Sequence, residues 1–395
     1  MAVPCLLDNL IKLLIERTFI VKPSNFLKNQ HTHNVYSYGP PGALLRHNIL
    51  QEWRRYVLYN NNEETFWVEN SKSITAETPS DTRVGVEHYN SSILHRCPEN
   101  YLVIAKQLSK KLSFSVAHTS VCFDPQRTSG ENLSFLESSE NTELTVTHFC
   151  PSTTIVSSFS DCHRRRLKWW RQYARFPSNF ILSDPQQLNV NNETFQLFKV
   201  QFHFPWGWDT IETIINWRDY PLQCIKDVLL SGISAQSKIR RSASLPCVIE
   251  STAILERAFL AFLLDSFQEN IHTYSKSKTR SESKTRSILK LHRRLVPYKI
   301  GVSVSGSKVS YLRKMALRII KDIEDLELQV FHCLDTTNSL EKQYVMFDEL
   351  GVLLTIVIND TTLESGIIGL RSRDTSLKEP LHVATLKDTI LKNIQ

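Results

Sequence analysis

The chain has 395 residues, of which 41% are hydrophobic and 22% charged, proportions that exclude a disordered or collagen-like chain. Its longest apolar runs fall short of the ~18–20 residues that a membrane-spanning helix needs, and its 11 glycines argue against folds built on glycine-rich phosphate loops. The net charge of +7 is concentrated in two segments: residues 275–299 hold nine basic residues and one acid, and residues 163–175 hold six basic residues and no acid. Two basic segments on an otherwise acidic chain predict a polyanionic partner.

The first two thirds of the chain predict a mixture of helices and strands. Apolar residues at helical spacing predict a helix over 6–15, and a second amphipathic helix from 43 to about 58 follows a Gly–Pro turn at 38–42. The polar stretch 60–92 predicts a loop or a short hairpin. The other predicted elements of this part are strands over 114–123, 143–150 and 195–204 and helices over 163–175 and 253–267.

Residues 275–287 contain Ser-Lys-Thr-Arg-Ser twice, and their Ser/Lys composition predicts a basic linker that has no core of its own. Strands and helices alternate after it, which predicts a small α/β domain. We therefore predict two domains, 1–290 and 291–395. The elements predicted for the second are strands over 297–305, 328–334, 352–359 and 366–373 and helices over 310–325, 339–349 and 385–394.

The familiar motifs of metal and nucleotide chemistry are missing from the sequence. The eight cysteines form no C-x-x-C pair, and Ser307 separates Gly306 from Lys308, which breaks a Walker A match. The sequence also lacks a G-x-S-x-G elbow, an H-E-x-x-H pair and a dinucleotide fingerprint. We expect neither a metal ion nor a cofactor.

Residues 38–48, Tyr-Gly-Pro-Pro-Gly-Ala-Leu-Leu-Arg-His-Asn, resemble the first signature of class II aminoacyl-tRNA synthetases in its glycyl form. The segments that resemble glycyl enzymes in the same order are Phe204–Trp208, Glu212, Asp219–Tyr220 and Pro246–Glu250, running on to Arg257. The resemblance covers nearly the whole chain. It implies an α+β fold, in which an antiparallel sheet domain of the class II synthetase type precedes an α/β anticodon-binding-like domain with a mixed sheet.

The residues that differ from that family are those expected to serve ATP chemistry and the substrate pocket. The stretch that matches the second signature, F-R-x-E, has Asp124 in place of the phosphate-binding Arg and Gln126 in place of the Glu. A carboxylate ~4 Å from a phosphate is repelled by about 1–4 kcal/mol. The third signature keeps Arg257, but Glu256 adds a negative charge, and Thr213 stands where glycyl enzymes have Gly after the pocket glutamate. These changes predict a scaffold that has lost adenylate chemistry.

Three further segments resemble a closer family, the accessory subunits of mitochondrial DNA polymerase gamma; they are 164–180, 289–297 and 361–375. The resemblance implies a non-catalytic protein of the mitochondrial matrix or nucleoid that binds the polymerase catalytic subunit and double-stranded or primer–template DNA and raises processivity, with no membrane association. Two alternatives stay open: an active glycyl-type synthetase, and a synthetase-derived scaffold or sensor without a DNA role.

Flexible basic side chains suit sequence-independent contacts with phosphates, and several basic residues of 163–175 share one helical face. The alternatives are a solvated helix face over a buried Trp and a soluble spacer. The predicted DNA contacts are Arg164, Arg165, Lys168, Arg171, Lys276, Lys278, Arg280, Lys284, Arg286, Lys290, Arg293 and Arg294.

By resemblance, the last domain docks on the polymerase subunit, and the residues predicted to do so are Leu363, Gly366, Leu370, Arg371 and Arg373. The alternative is that Gly366 serves a turn and the arginines pair with Asp374 or Glu379. Vertebrate members dimerise through a long inserted helical hairpin, and residues 60–92 lack the apolar helical spacing for one. We therefore favour a 1:1 complex with the catalytic subunit, and a homodimer through the first-signature surface stays open.

Overall fold

The computed structural model describes residues 3–22, 36–59, 63–69, 96–105, 113–123, 140–226, 245–275, 281–334 and 337–394. It has the mixed α+β character that the sequence predicts. Two compact units divide the chain: one comprises Met1–Ile49, Tyr173–Arg175 and Phe259–Gln395, and the other Leu50–Gln172 and Phe176–Ala258. The sequence-based domain limits, 1–290 and 291–395, stay a prediction.

The helices of the described residues are α1 Val3–Glu16, α2 Pro40–Tyr59, α3 over residues 96–105, α4 Ile155–Tyr173, α5 Leu255–Ser266, α6 Val309–Glu324, α7 Leu340–Glu349, α8 Asp360–Ser365 and α9 Leu386–Ile394. Their strands are β1 Ile20–Val21, β2 Ser37–Tyr38, β3 Thr65–Trp67, β4 Phe114–Phe123, β5 Glu140–Cys150, β6 Phe180–Leu182, β7 Gln186–Val190, β8 Glu193–Phe204, β9 Gly207–Arg218, β10 Cys247–Ile254, β11 Phe267–Ser275, β12 Ser281–Leu289, β13 Ile300–Ser305, β14 Val330–Cys333, β15 Leu354–Asn359, β16 Ile367–Ser372 and β17 Lys378–His382. No helix of these described ranges is long and apolar enough to cross a membrane.

The second unit is built on an eight-stranded sheet of order β3-β4-β5-β10-β9-β8-β6, with β7 paired to β8. Its strands pair antiparallel except β3 and β4. Apolar residues anchor β8 in the core: Phe195, Leu197, Val200 and Phe202 are buried along its length. The β8–β9 register shifts between Val200 and Gln201, which pair with Glu212 and Thr210, so β9 carries one extra residue, Ile211, as a β-bulge.

The C-terminal part of the first unit holds a five-stranded sheet of order β14-β13-β15-β16-β17. Strand β13 runs parallel to β14 and β15, and β16 and β17 add antiparallel. Strands β13 and β15 are buried on both faces, as is typical of central parallel strands, and the edge strand β14 is more exposed. This sheet and its helices confirm the predicted mixed α/β domain; helix α8 and strand β17 were not predicted.

Two sequence-based assignments need correction. The linker prediction is wrong for residues 281–287, because they form part of β12, which pairs with β11 from Phe267↔Leu289 to Ser275↔Ser281. Backbone ladder bonds need no apolar side chains, and Phe267, Ile288 and Leu289 anchor the base of the hairpin in the core. Helix α4 begins at Ile155 rather than at 163, because Phe159 and Cys162 extend its buried face. Most of the predicted loop 60–92 lies outside the described residues.

Candidate functional site

The pocket glutamate of the synthetase resemblance, Glu212, lies on β9 and is 2% exposed. Helix α4 supplies two donors to it: Arg166 Nε lies 2.5 Å from Oε1 and Nη2 3.3 Å from Oε2, and Trp170 Nε1 lies 2.5 Å from Oε2. Ser251 Oγ on β10 also donates to Oε1. Both carboxylate oxygens are thus bonded by the chain's own side chains, and the charge is neutralised inside the protein.

Arg166 is 4% exposed, and its guanidinium lies 5.3 Å from the ring of Trp169 and 5.9 Å from that of Trp53. Its role was not predicted from the sequence, which indicated only a basic face over a buried Trp. Arg166 lies instead on the buried side of α4, with Trp169, Trp170 and Tyr173. Their spacing of i, i+3, i+4 and i+7 is the apolar stripe of a helix, with an arginine in one of its positions. That spacing was the signal available in the sequence.

The third-signature arginine is also bonded internally. Arg257 Nη1 lies 2.9 Å from Asp209 Oδ1 and 2.5 Å from the carbonyl oxygen of Thr210. Burial on its own raises the pKa of Asp209, but the hydrogen bond and charge of Arg257 outweigh it and hold that pKa below its usual range. The neighbouring Glu256 is 5% exposed and accepts a 2.8 Å hydrogen bond from the backbone N–H of Thr142.

The second-signature substitutions, Asp124 and Gln126, lie outside the described residues. Within the described ranges, no group of three or more His, Cys, Asp or Glu side chains could hold a metal ion.

The basic face predicted on α4 is exposed at Arg164, Lys168 and Arg171, and Arg165 is half-buried. Because α4 begins earlier than predicted, it also contains Asp161, whose Oδ1 lies 2.5 Å from Arg164 Nη2. Arg171 Nε donates to the carbonyl oxygen of Phe180 at 3.0 Å. On this face, Arg164 is therefore paired with an acid, and the side chain of Lys168 is exposed.

The second basic segment is only partly described. Lys276, Lys278 and Arg280 lie outside the described residues, and the backbone of Lys284 pairs with His272 between β12 and β11. Arg286 is half-buried, and its Nη2 lies 2.5 Å from Asp348 Oδ2. Beyond the hairpin, Arg293 is exposed, and Lys290 and Arg294 are half-buried.

The predicted partner-binding residues surround α8 and β16. Gly366 has φ +70° and ends α8. The backbone therefore agrees with the alternative interpretation, in which Gly366 serves a turn. Leu363 is half-buried, and Leu370 is 8% exposed.

Arg371 and Arg373 are each 4% exposed, which corrects the expectation that they face a partner. Arg371 makes a two-bond pair with Asp348, with N–O distances of 2.8 and 3.0 Å. Arg373 Nε donates to Asp374 at 2.9 Å and its other nitrogens to backbone carbonyls. Charged groups of this kind are almost never fully buried unless they are paired, and both are paired here.

This chain is similar in sequence to two groups of proteins, the DNA polymerase gamma-2 subunits and the glycine–tRNA ligases. Residues 299–393 match the model of the anticodon binding domain family. The chain is 32% identical over 305 residues to DNA polymerase subunit gamma-2 of Mus musculus, which covers 76% of this chain and 64% of the mouse protein, less than two thirds of its length. It is 27% identical over 397 residues to the Xenopus laevis protein named DNA polymerase subunit gamma-2, mitochondrial, covering 92% and 82%.

Bacterial glycine–tRNA ligases, among them that of Mycoplasma mycoides subsp. mycoides, are more distant relatives at 22% identity. The Giardia lamblia prolyl-tRNA synthetase, solved in complex with prolyl-adenylate, superposes with a TM-score of 0.63 at 13% identity, covering 98% of this chain and 75% of that one. The fold is therefore that of a class II synthetase. Both resemblances inferred from the sequence are confirmed.

Proposed function

We propose that this chain, a relative of the DNA polymerase subunit gamma-2 proteins, is a non-catalytic accessory subunit of the mitochondrial replicative DNA polymerase. The observation that carries the proposal is the occupied Glu212 carboxylate. A synthetase needs its pocket acid to receive a substrate, and here Arg166, Trp170 and Ser251 already bond both oxygens. The similarity to the mouse and frog polymerase subunits supports a role with the polymerase in place of synthetase activity.

The bonds within that pocket support the proposed loss of adenylate chemistry. A substrate that bonds Glu212 must displace one of its internal donors, and a buried charge that loses its partner without replacement costs about 3–5 kcal/mol. Arg257, in turn, is bonded to Asp209 and Thr210 of its own unit. The substitution of Asp124 for the phosphate-binding arginine acts in the same direction.

In the proposed complex, the protein binds duplex DNA through its backbone. The proposed contacts are Arg164, Lys168 and Arg171 on the exposed face of α4, together with the basic residues of the β11–β12 hairpin and its continuation other than Arg286, which bonds Asp348. Phosphate contacts carry no sequence information, which suits a subunit that accompanies a moving polymerase. Such binding weakens steeply as salt rises.

The C-terminal sheet is the proposed docking site for the catalytic subunit, near Leu363, Gly366 and Leu370. Since Arg371 and Arg373 are internal, we assign the outer contact to exposed apolar residues of this region, Ile367 at 45% and Leu377 at 64% exposure. Strand β17 ends the sheet among the described strands, so its edge can also accept a partner.

Primer extension tests the proposal. The purified catalytic subunit is assayed on a primed template at rising salt, with and without this protein. We expect longer products per binding event and activity that persists to higher salt. Unchanged product lengths at every salt concentration would contradict the proposal and favour a scaffold or sensor without a DNA role.

Glycine-dependent ATP–pyrophosphate exchange tests the alternative of an active glycyl-type synthetase. We expect no exchange above background, with an active glycine–tRNA ligase as the positive control. Measurable exchange would establish the synthetase and reject the accessory role.

Two finer parts of the proposal concern assembly and location. We propose a 1:1 complex with the catalytic subunit, which light scattering of the purified complex measures; a 2:1 mass would support a homodimer instead. We propose mitochondrial residence because the similar frog protein is a mitochondrial one by name, and fractionation of cells that express the full protein tests it.

A further inference from the structure

One buried carboxylate joins the base of the β11–β12 hairpin to the C-terminal sheet. Asp348, in the last turn of α7, is 1% exposed. Arg286 of β12 bonds its Oδ2 at 2.5 Å, and Arg371 of β16 bonds both of its oxygens. Asp348 therefore holds one guanidinium from the hairpin and one from the sheet.

Arg373 of the segment after β16 holds the residues that follow the hairpin. Its Nη1 lies 3.3 Å from the carbonyl oxygen of Leu289 and 3.0 Å from that of Gly351, and its Nη2 lies 3.0 Å from that of Leu291. Leu289 is the last residue of β12, and Gly351 follows α7 with φ +72°. The buried side chain of Arg373 thus bonds both the backbone at the end of the hairpin and the backbone that follows α7.

We propose that Arg286, Asp348, Arg371 and Arg373 form a positioning site that sets how the basic hairpin leaves the C-terminal domain. Asp348 suits this task because it is 1% exposed, and a desolvated carboxylate that loses an arginine partner finds no water to replace it. The proposal rests on the proposed function, in which basic residues of this hairpin contact duplex DNA. Arg286 then acts through Asp348 and is not itself a phosphate contact.

Neutralising Asp348 distinguishes positioning from simple charge. Asp348→Asn makes the protein more positive by one unit and releases Arg286, so charge alone predicts tighter DNA binding. Positioning predicts the opposite: a hairpin that is no longer held loses phosphate contacts, and duplex affinity falls about tenfold at 0.1 M salt, the equivalent of one lost contact. Labelled duplex DNA in an anisotropy titration measures the affinity.

Asp322→Asn is the matched control. Asp322 is a half-buried acid of α6 in the same domain, within 3.8 Å of Arg318 and Lys387, and its neutralisation changes the charge equally. We expect this variant to bind DNA as tightly as the wild type or more tightly. Asp348→Asn behaving like Asp322→Asn would overturn the proposal.

Hydrogen exchange gives a second readout that needs no DNA. Arg286→Gln keeps the Arg371–Asp348 pair, so we expect this variant to fold even in the case that Asp348→Asn does not. We expect faster amide exchange over residues 281–291 in Arg286→Gln, with unchanged exchange in β13 and β15, and restoration in Arg286→Lys. Unchanged exchange over 281–291, or equal acceleration throughout the domain, would overturn the positioning role. If the wild type does not bind DNA, the proposed function fails, and hydrogen exchange still decides this proposal.

Discussion

Arg166 on helix α4 and Glu212 on strand β9 form an ion pair in which the side chains are 5% and 1% exposed. The two residues are 46 positions apart in the sequence. Trp170 shares the same acceptor, so the helix binds the sheet through a charged residue and an aromatic one placed one turn apart. This contact turns a substrate-facing acid of the synthetase resemblance into part of the protein's interior.

We expect Arg166→Met to lower the free energy of unfolding by about 3–5 kcal/mol, because it leaves Glu212 charged and unpaired in a buried site. Urea unfolding followed by tryptophan fluorescence measures the change. The control is Arg164→Met, which breaks the exposed pair with Asp161 and should cost about 1 kcal/mol or less. Similar losses in the two variants would contradict the importance of burial here.

Lys168→Ala tests the basic face of α4. Removing one phosphate contact should reduce the slope of log affinity against log salt concentration by about 0.9. Lys22→Ala removes the same charge from an exposed residue outside the predicted DNA contacts and should leave the slope unchanged. Anisotropy titrations with a labelled duplex between low and moderate salt provide the slopes. Identical slopes for Lys168→Ala and the wild type would take this residue out of the DNA-binding surface.

His118 is a buried group that makes stability depend on pH. Burial, assisted by the charge of Arg96, lowers its pKa from 6.5 to about 4. Between these values the unfolded chain binds a proton that the native chain does not, so the stability that His118 contributes is complete above pH 6.5 and is lost as the pH falls. The loss between pH 7.5 and 5 is about 2 kcal/mol.

His118→Gln should therefore show a drop in stability between pH 7.5 and 5 that is smaller than the wild-type drop by that amount. Glu63 and Asp209, whose pKa values are lowered, contribute to acid destabilisation in both proteins, so the difference isolates His118. Urea unfolding at the two pH values measures it. The exposed His203 serves as the control, and a His203→Gln variant that reproduces the effect would argue against burial as its cause.

Gly366 occupies a left-handed backbone position at the end of α8, with φ +70°. A Cβ atom there would also lie 2.7 Å from His382 Nε2. We expect Gly366→Ala to destabilise the protein by about 1–3 kcal/mol. Adding His382→Ala should recover the part due to the close contact and leave the backbone strain. A thermal unfolding series of the three proteins tests this, and a fully stable Gly366→Ala would refute it.

Local patterns were sufficient for most helices and for the C-terminal sheet, but they did not predict β9 and β10 at the centre of the large sheet. The apolar spacing of α6, α7 and α9 and the Val/Ile runs of β13 and β15 predicted the C-terminal domain nearly element by element. The pattern was insufficient for β12, where Lys and Ser residues pair through the backbone and Ile288 and Leu289, at its end, are anchored in the core. A ladder of backbone hydrogen bonds leaves no mark on composition.

The charged residues were harder to assign, since a basic side chain is usually exposed. Arg371 was predicted to face a partner, but its acceptor Asp348 lies 23 positions away on another element. Arg286 was predicted to face DNA, but it bonds the same carboxylate from 62 positions away. In each case the deciding partner lies too far along the chain for a local pattern to include it.

The amino-acid sequence by itself determined the fold class, most helices, the main strands of the C-terminal sheet, and the relationship to synthetases and polymerase subunits, because these depend on hydrophobic spacing and on short ordered motifs. The tertiary structure alone decided which charges are available. Glu212 is bonded to Arg166, and Asp348 to Arg286 and Arg371, because a charge removed from water is stable only beside an opposite charge that folding brings from a distant segment.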